Sequence, residues 1–237
     1  MKQVRAQLSH MLRLDEDFGS FWKLCRREPH LRWVARRGAG RLLRSATVFE
    51  DLMKLLFTTN CSWAATQGMT ERLAAGLGEV APSGLRAFPR PEACAGAGER
   101  FFRDQVRAGY RAPRAVALAR EFAEGRLSDA DFVDPAISTE ELRERLLALP
   151  GFGPYAAGQA LRLLGRYEDL ALDSWCRARL AASEGRAKPR TDRAIEKSYE
   201  RYGIYRGLVL WMELTADWHR SSRRRKSSVL SPSPLKE

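Results

Sequence analysis

Apolar residues recur at three- and four-residue intervals along most of the chain, with no convincing run of strand-like alternation. Thr47-Val48-Phe49-Glu50 has the form of a capping box, a hydroxyl at the N-cap and a carboxylate three residues on. It predicts a helix in which Leu52, Leu55 and Leu56 share a face. Residues 62–77 continue at helical period to Gly78, which stops them. The stretch 79–98 carries Pro82, Pro89, Pro91 and three glycines, too much punctuation for long regular elements. A helix is expected over 113–124, with Val116, Leu118, Ala119 and Phe122 apolar and Gly125 ending it. Ser138-x-x-Glu141 is a second capping box and introduces 139–148. A hairpin follows at 149–153, and Pro154 suits the first turn of a helix reaching about residue 164. Further helices are expected at 174–182, 191–201 and 205–218. The fold class is all-α.

Composition narrows the function. At 237 residues, 44% hydrophobic and 30% charged, the chain has the make-up of an ordinary globular protein, in one large domain or two small lobes. No apolar run approaches the ~20 residues that a membrane helix needs. The N-terminus lacks a signal-peptide core and cleavage site. Cys25, Cys61, Cys94 and Cys176 lie 36, 33 and 82 residues apart, and His10, His30 and His219 are equally scattered. Metal sites draw on closer pairs, so neither zinc nor an iron–sulfur cluster is expected. Four lone thiols suit a cytoplasmic protein, nucleoid-associated in a bacterial source.

The formal net charge is +12, and its placement matters. Residues 2–44 carry net +7 and the tail 220–237 net +5, which leaves 45–219 neutral. Such a balance points towards nucleic acid. The run Arg223-Arg224-Arg225-Lys226, set among Ser and Pro, has the composition of a disordered basic tail, either a DNA-gripping arm or a solvated segment.

The most informative residues are Leu149-Pro150-Gly151-Phe152-Gly153-Pro154-Tyr155, between two amphipathic helices. Pro150 interrupts the first helix, and Gly151 and Gly153 permit positive φ and close backbone approach. Amides at the start of the second helix would face an anion favoured by its dipole, which suits a DNA phosphate held without base reading. Taken alone, the motif is equally a tight corner between helices. Twenty residues after Gly153 comes Asp173, within Leu170-Ala171-Leu172-Asp173-Ser174-Trp175-Cys176. An apolar approach that ends in Asp before a new helix puts the carboxylate at or near an N-cap.

Hairpin and aspartate in this order resemble the helix–hairpin–helix DNA glycosylase superfamily, whose hairpin is followed about twenty residues later by a catalytic aspartate. The likeness is greatest to its 8-oxoguanine and bacterial 3-methyladenine glycosylase branch. It is carried further by Gly40-Arg41-Leu42-Leu43-Arg44, Thr58-Thr59-Asn60, Gly68-Met69-Thr70-Glu71-Arg72-Leu73 and Gly109-Tyr110-Arg111-Ala112, and it covers roughly residues 12–218. The implied fold is two helical lobes with a DNA cleft between them. One lobe would combine 1–45 with 166–218, the other would span 46–165, and 219–237 would form the basic tail. The branch also has an N-terminal antiparallel sheet domain with no counterpart in this sequence.

The resemblance implies hydrolysis of the N-glycosidic bond of a damaged or mismatched base flipped out of duplex DNA, by a monomer. Asp173 would be the catalytic carboxylate, and Gly151 and Gly153 would bind the DNA backbone. Tyr155 would wall the base pocket or pack between helices. Trp175 falls where related enzymes place a residue near the flipped nucleotide, and core packing is its alternative. Asn60 and Arg111 fall where 8-oxoguanine glycosylases contact the opposite base; a helix cap and a solvated or phosphate-bound arginine are their alternatives. Ala65 stands where that family has a contacting arginine. Tyr199, Tyr202, Tyr205, Trp211 and Trp218 are read as core at helical spacing. Strand-cutting relatives place a lysine where this chain has Tyr155, so no Schiff base is expected there and AP lyase activity is not. The four-cysteine iron–sulfur loop of endonuclease III relatives is missing, because no Cys follows Cys176. No cofactor is implied, although a structural monovalent cation at the hairpin is compatible with the family. A helix–hairpin–helix DNA-binding module, in which Asp173 only caps a helix, is the competing function.

Overall fold

The computed structural model describes residues 2–219, with side chains from Val4 onward. The basic tail expected from Arg220 lies outside the described residues. The helices are α1 (Lys2–Leu12), α2 (Gly19–Arg27), α3 (Arg32–Arg37), α4 (Val48–Thr58), α5 (Trp63–Leu77), α6 (Pro91–Asp104) and α7 (Ala112–Ala123). They continue with α8 (Ala130–Val133), α9 (Thr139–Ala148), α10 (Pro154–Leu163), α11 (Ser174–Ser183), α12 (Asp192–Tyr199) and α13 (Arg206–Leu214). Among the described residues, extended pairing is limited to one isolated bridge, Val80 with Arg86. The protein is all-α.

Both N-caps form as the sequence indicated, but neither box closes, because the Glu50 side chain pairs with Lys54 and that of Glu141 with Arg145. Thr47 accepts from the Glu50 amide at 3.2 Å and Ser138 from the Glu141 amide at 3.1 Å. The punctuated stretch 79–98 is only partly irregular, because α6 starts inside it at Pro91. Proline is favourable there, at the first helical position, where its missing N–H removes no helix bond. Gly98 then breaks the helix locally, with φ 71° and ψ 174°.

The chain divides into two compact units. The first comprises 2–17 and 41–171, the second 18–40 and 172–219. The sequence had suggested a lobe of 1–45 with 166–218. Residues 2–17, 41–45 and 166–171 belong instead with 46–165, and Arg13 gives the reason. It is fully buried, donates to the carbonyls of Leu42 (2.7 Å), Arg162 (3.1 Å) and Leu163, and pairs with Glu16. Glu16 in turn pairs with Arg44 at 2.9 Å and accepts from the Tyr167 hydroxyl at 3.2 Å. A buried guanidinium left without these acceptors would be costly, so the polar knot ties the chain together here.

The core of the first unit surrounds α4, whose Val48, Phe49, Leu52, Met53, Leu56 and Phe57 are all buried. A helix buried nearly all round must lie at the centre of its domain. The α9–hairpin–α10 segment packs into this core through Leu142, Leu146, Leu149, Phe152, Ala157 and Leu161. In the second unit the core includes Phe21, Leu31, Val34, Leu180, Ile195 and Leu208.

Candidate functional site

The hairpin turns on a single left-handed residue. Leu149 ends α9, Phe152 N donates back to the Leu149 carbonyl at 3.1 Å, and Gly151 between them has φ +85°. A β-carbon on Gly151 would fall 2.6 Å from Arg114 Cδ and 2.8 Å from Leu56 Cδ1. Glycine is therefore required twice, for its torsion and for close packing inside the unit. Gly153 is different. It is extended, it is the N-cap of α10, no side chain caps that helix, and a β-carbon there would meet nothing within 4 Å. The two glycines, read from sequence as one phosphate-binding pair, thus separate: Gly151 shapes the turn and Gly153 faces open space. Tyr155, in the first turn of α10, is half-buried.

The structure joins Asn60 and Arg111 through Thr59 and Tyr110. Asn60 is exposed, in a left-handed turn (φ 47°) just after α4. Its Nδ2 donates to Tyr110 Oη at 3.3 Å, and that hydroxyl donates to the Thr59 carbonyl at 3.2 Å. Arg111 is only 6% exposed. Its guanidinium donates to the Thr59 carbonyl, to Thr59 Oγ1 at 3.2 Å and to the Ala108 carbonyl at 3.4 Å. Such burial does not fit a solvated arginine. Arg111 holds the turn at Thr59, next to Asn60. Trp63, three residues beyond Asn60, is 70% exposed, and Ala65 lies in the same exposed first turn of α5.

Sequence reasoning missed Gly158 because its reason is non-local. It lies in α10, where a β-carbon would come 2.9 Å from both Ala171 Cβ and Asp169 Oδ1. The absent side chain lets 169–171 lie against the helix. Arg162 Nη2 then donates to the Leu170 carbonyl at 2.8 Å, and Arg143 pairs with Asp169. The approach to Asp173 is thereby fixed as far as Ala171.

Asp173 itself begins the second unit's α11. It is the N-cap, and its Oδ1 accepts from the Cys176 amide at 2.6 Å. Among the described residues no hydrogen bond reaches Oδ2, and no basic group forms an ion pair with the carboxylate. The nearest basic residue in sequence, Arg177, is committed elsewhere. It grips Asp192 with two bonds of 2.7 and 2.8 Å, which hold the Arg177 pKa above its ordinary value and that of Asp192 below. Asp173 is partly buried and oriented through one oxygen; the Arg177 guanidinium, though bonded to Asp192, acts on its carboxylate only through space.

Trp175, in the first turn of α11, is 40% exposed rather than core. Its ring lies 6.2 Å from that of Trp211 and 5.9 Å from that of Trp218, and Trp218 is 52% exposed. The core expectation holds for Tyr199 and Tyr202, which are buried, and fails for Trp218, which is exposed. Lys54 is tied to Glu50 and to Ser45 Oγ, while Lys188 and Lys197 are exposed. Among the described residues no group of His, Cys, Asp and Glu is arranged to hold a metal ion, and no helix is long and apolar enough to cross a membrane.

No protein-family model and no curated protein sequence matches the chain. Solved structures do. The 8-oxoguanine glycosylase/lyase of Clostridium acetobutylicum, in its apo form, is 21% identical with a TM-score of 0.73, over 90% of this chain and 75% of that one. The 3-methyladenine DNA glycosylase of Archaeoglobus fulgidus is 22% identical with a TM-score of 0.71, over 92% and 75%. The Schizosaccharomyces pombe 3-methyladenine DNA glycosylase, solved with abasic DNA, is 20% identical with a TM-score of 0.62, over 89% and 95%. Over the residues covered, the chain therefore shares the fold of these proteins.

Proposed function

We propose that a chain with the fold of the DNA glycosylases is itself one, a base-excision enzyme that hydrolyses the N-glycosidic bond of a damaged or mismatched base. The observation that carries this reading is Asp173, twenty residues beyond the hairpin, oriented through Oδ1 and in no ion pair among the described residues. A base inside a duplex cannot reach a protein group, so the nucleotide must leave the stack, at a cost of a few kcal/mol that is lowest for damaged or mismatched bases. The bond from C1′ to the base nitrogen then breaks, its electron pair leaves with the base, and positive charge develops on the deoxyribose. The Asp173 carboxylate stabilises that charge. Water attacks C1′ and passes its proton to the carboxylate, which leaves an abasic site and an unbroken strand. Trp175, exposed two residues from Asp173, offers an aromatic face for the flipped base.

The reaction we propose is monofunctional. Strand cutting by elimination needs an amine to form a Schiff base, and Tyr155 occupies the hairpin position where strand-cutting relatives have lysine. Lys54, bound to Glu50 and Ser45, is a structural ammonium and no substitute. The cap bond to Cys176 is what the competing reading, a non-catalytic DNA-binding module, would also contain. Incubation with duplexes that carry single alkylated, oxidised or deaminated bases separates the two. Strand breaks that need alkali, with no borohydride-trapped adduct, support the monofunctional enzyme. Tight binding without abasic product across the panel supports the module, and an efficient trapped adduct contradicts the mechanism.

A further inference from the structure

Arg114 is an exposed residue in the first turn of α7. Among the described residues it has neither a carboxylate nor a hydrogen-bond acceptor as partner. Many surface guanidiniums of the same unit do have one: Arg100 pairs with Asp104, Arg103 with Glu99, Arg126 with Glu121, and Arg145 with Glu141. Yet Arg114 is not loose. Its Cδ would lie 2.6 Å from a β-carbon at Gly151, so the hairpin glycine makes room for the arginine stem. Its guanidinium carbon sits 5.1 Å from the centroid of the Tyr110 ring, whose hydroxyl holds Asn60 and Thr59. One side chain thus spans from the hairpin to the Asn60 turn.

Its electrostatic setting is unfavourable as it stands. The N-terminal end of a helix carries partial positive charge and favours anions. Helix α7 instead has no acidic residue in its first turn and no side-chain cap, and Arg111 immediately precedes it. A positioned cation, without a counter-ion, at the positive end of a helix and against Gly151, two residues before the open Gly153, is equipped to hold an anion. We propose that Arg114 binds a backbone phosphate of the same duplex that Gly153 approaches, and so carries the DNA from the hairpin to the Asn60 turn. The proposal rests only on the DNA-binding half of the function above, not on catalysis. It also accounts for Gly151, whose close packing keeps the arginine stem in place.

Counterion release supplies the test. Each phosphate neutralised contributes about 0.9 to the slope of log affinity against log salt on B-DNA. Binding of the full chain to undamaged and abasic duplexes is measured across a potassium chloride series, with melting temperatures alongside. Arg114→Met keeps an unbranched apolar stem against Gly151 and removes the charge. It should lower the slope by about 1 on both duplexes, weaken binding several-fold on both, and leave the melting temperature unchanged. Arg114→Lys keeps the charge and should keep most of the slope. A slope in Arg114→Met equal to that of wild type overturns the proposal. So does a loss confined to the abasic duplex, or an equal loss in both variants together with a lower melting temperature, the mark of a packing role. Salt-dependent binding of wild type without base excision would sink the glycosylase reading and leave this one to stand on the slopes. Failure of wild type to bind duplex at all would remove both.

Discussion

Asp173 has two properties that its proposed chemistry uses. As an N-cap it is oriented by the Cys176 amide, and as a carboxylate it keeps Oδ2 without a hydrogen bond among the described residues. Arg177 could have neutralised it but is locked to Asp192. The cysteines show the opposite condition. Burial pushes the thiols of Cys25 and Cys94 up to about 12, whereas Cys61 is exposed beside Asn60. Because the thiolate is the reactive form, brief treatment of the native protein with iodoacetamide at neutral pH should modify Cys61 and spare Cys25 and Cys94. Peptide mapping that finds Cys25 or Cys94 modified at a comparable rate would contradict the packing described for them.

At the scale of elements, the hairpin separates two jobs that its sequence runs together. Gly151→Val imposes a β-branched residue on φ +85° and drives a side chain into Arg114 and Leu56, which should cost about 2–5 kcal/mol of stability. Gly153→Val meets open space in an extended conformation and should fold normally. It should nevertheless weaken binding to lesion and undamaged duplex alike, roughly tenfold, if the amides there hold a phosphate. Thermal melting and duplex titration of the two variants check this, and unchanged binding by Gly153→Val would remove the phosphate role. The elements most legible in the sequence were those marked by local chemistry. Thr47 and Ser138 announced their helices through capping boxes, and Pro150, Gly151 and Pro154 announced the corner between α9 and α10. Pro91 carried an equally local signal for α6, obscured by the glycines around it. Gly158 carried none, because the reason for it, Ala171 and Asp169 folding back onto α10, arises only in three dimensions.

For the whole molecule, charge and fold point the same way. The basic excess lies towards the two ends of the chain, while 45–219 is neutral, so binding in that stretch must depend on where charges are placed rather than on their sum. Helical period and helix starts made the all-α class readable from sequence. The partition into units was less so, because Arg13 reaches Leu42, Arg162 and Leu163 across long stretches of chain. The candidate residues were legible as positions but not as environments: nothing in Gly-Tyr-Arg-Ala reveals that Arg111 is buried against Thr59, and the helical spacing of Trp218 suggested core where the ring is exposed. What ties these scales together is the chemistry assigned to one carboxylate. The most direct test is single-turnover excision by Asp173→Asn on a substrate that wild type cleaves. Asparagine keeps the shape and the cap, so binding to that substrate should stay within a few-fold of wild type. Excision should fall by at least ~100-fold, the loss of about 3 kcal/mol of transition-state stabilisation. Excision by Asp173→Asn within a few-fold of the wild-type rate would contradict the account.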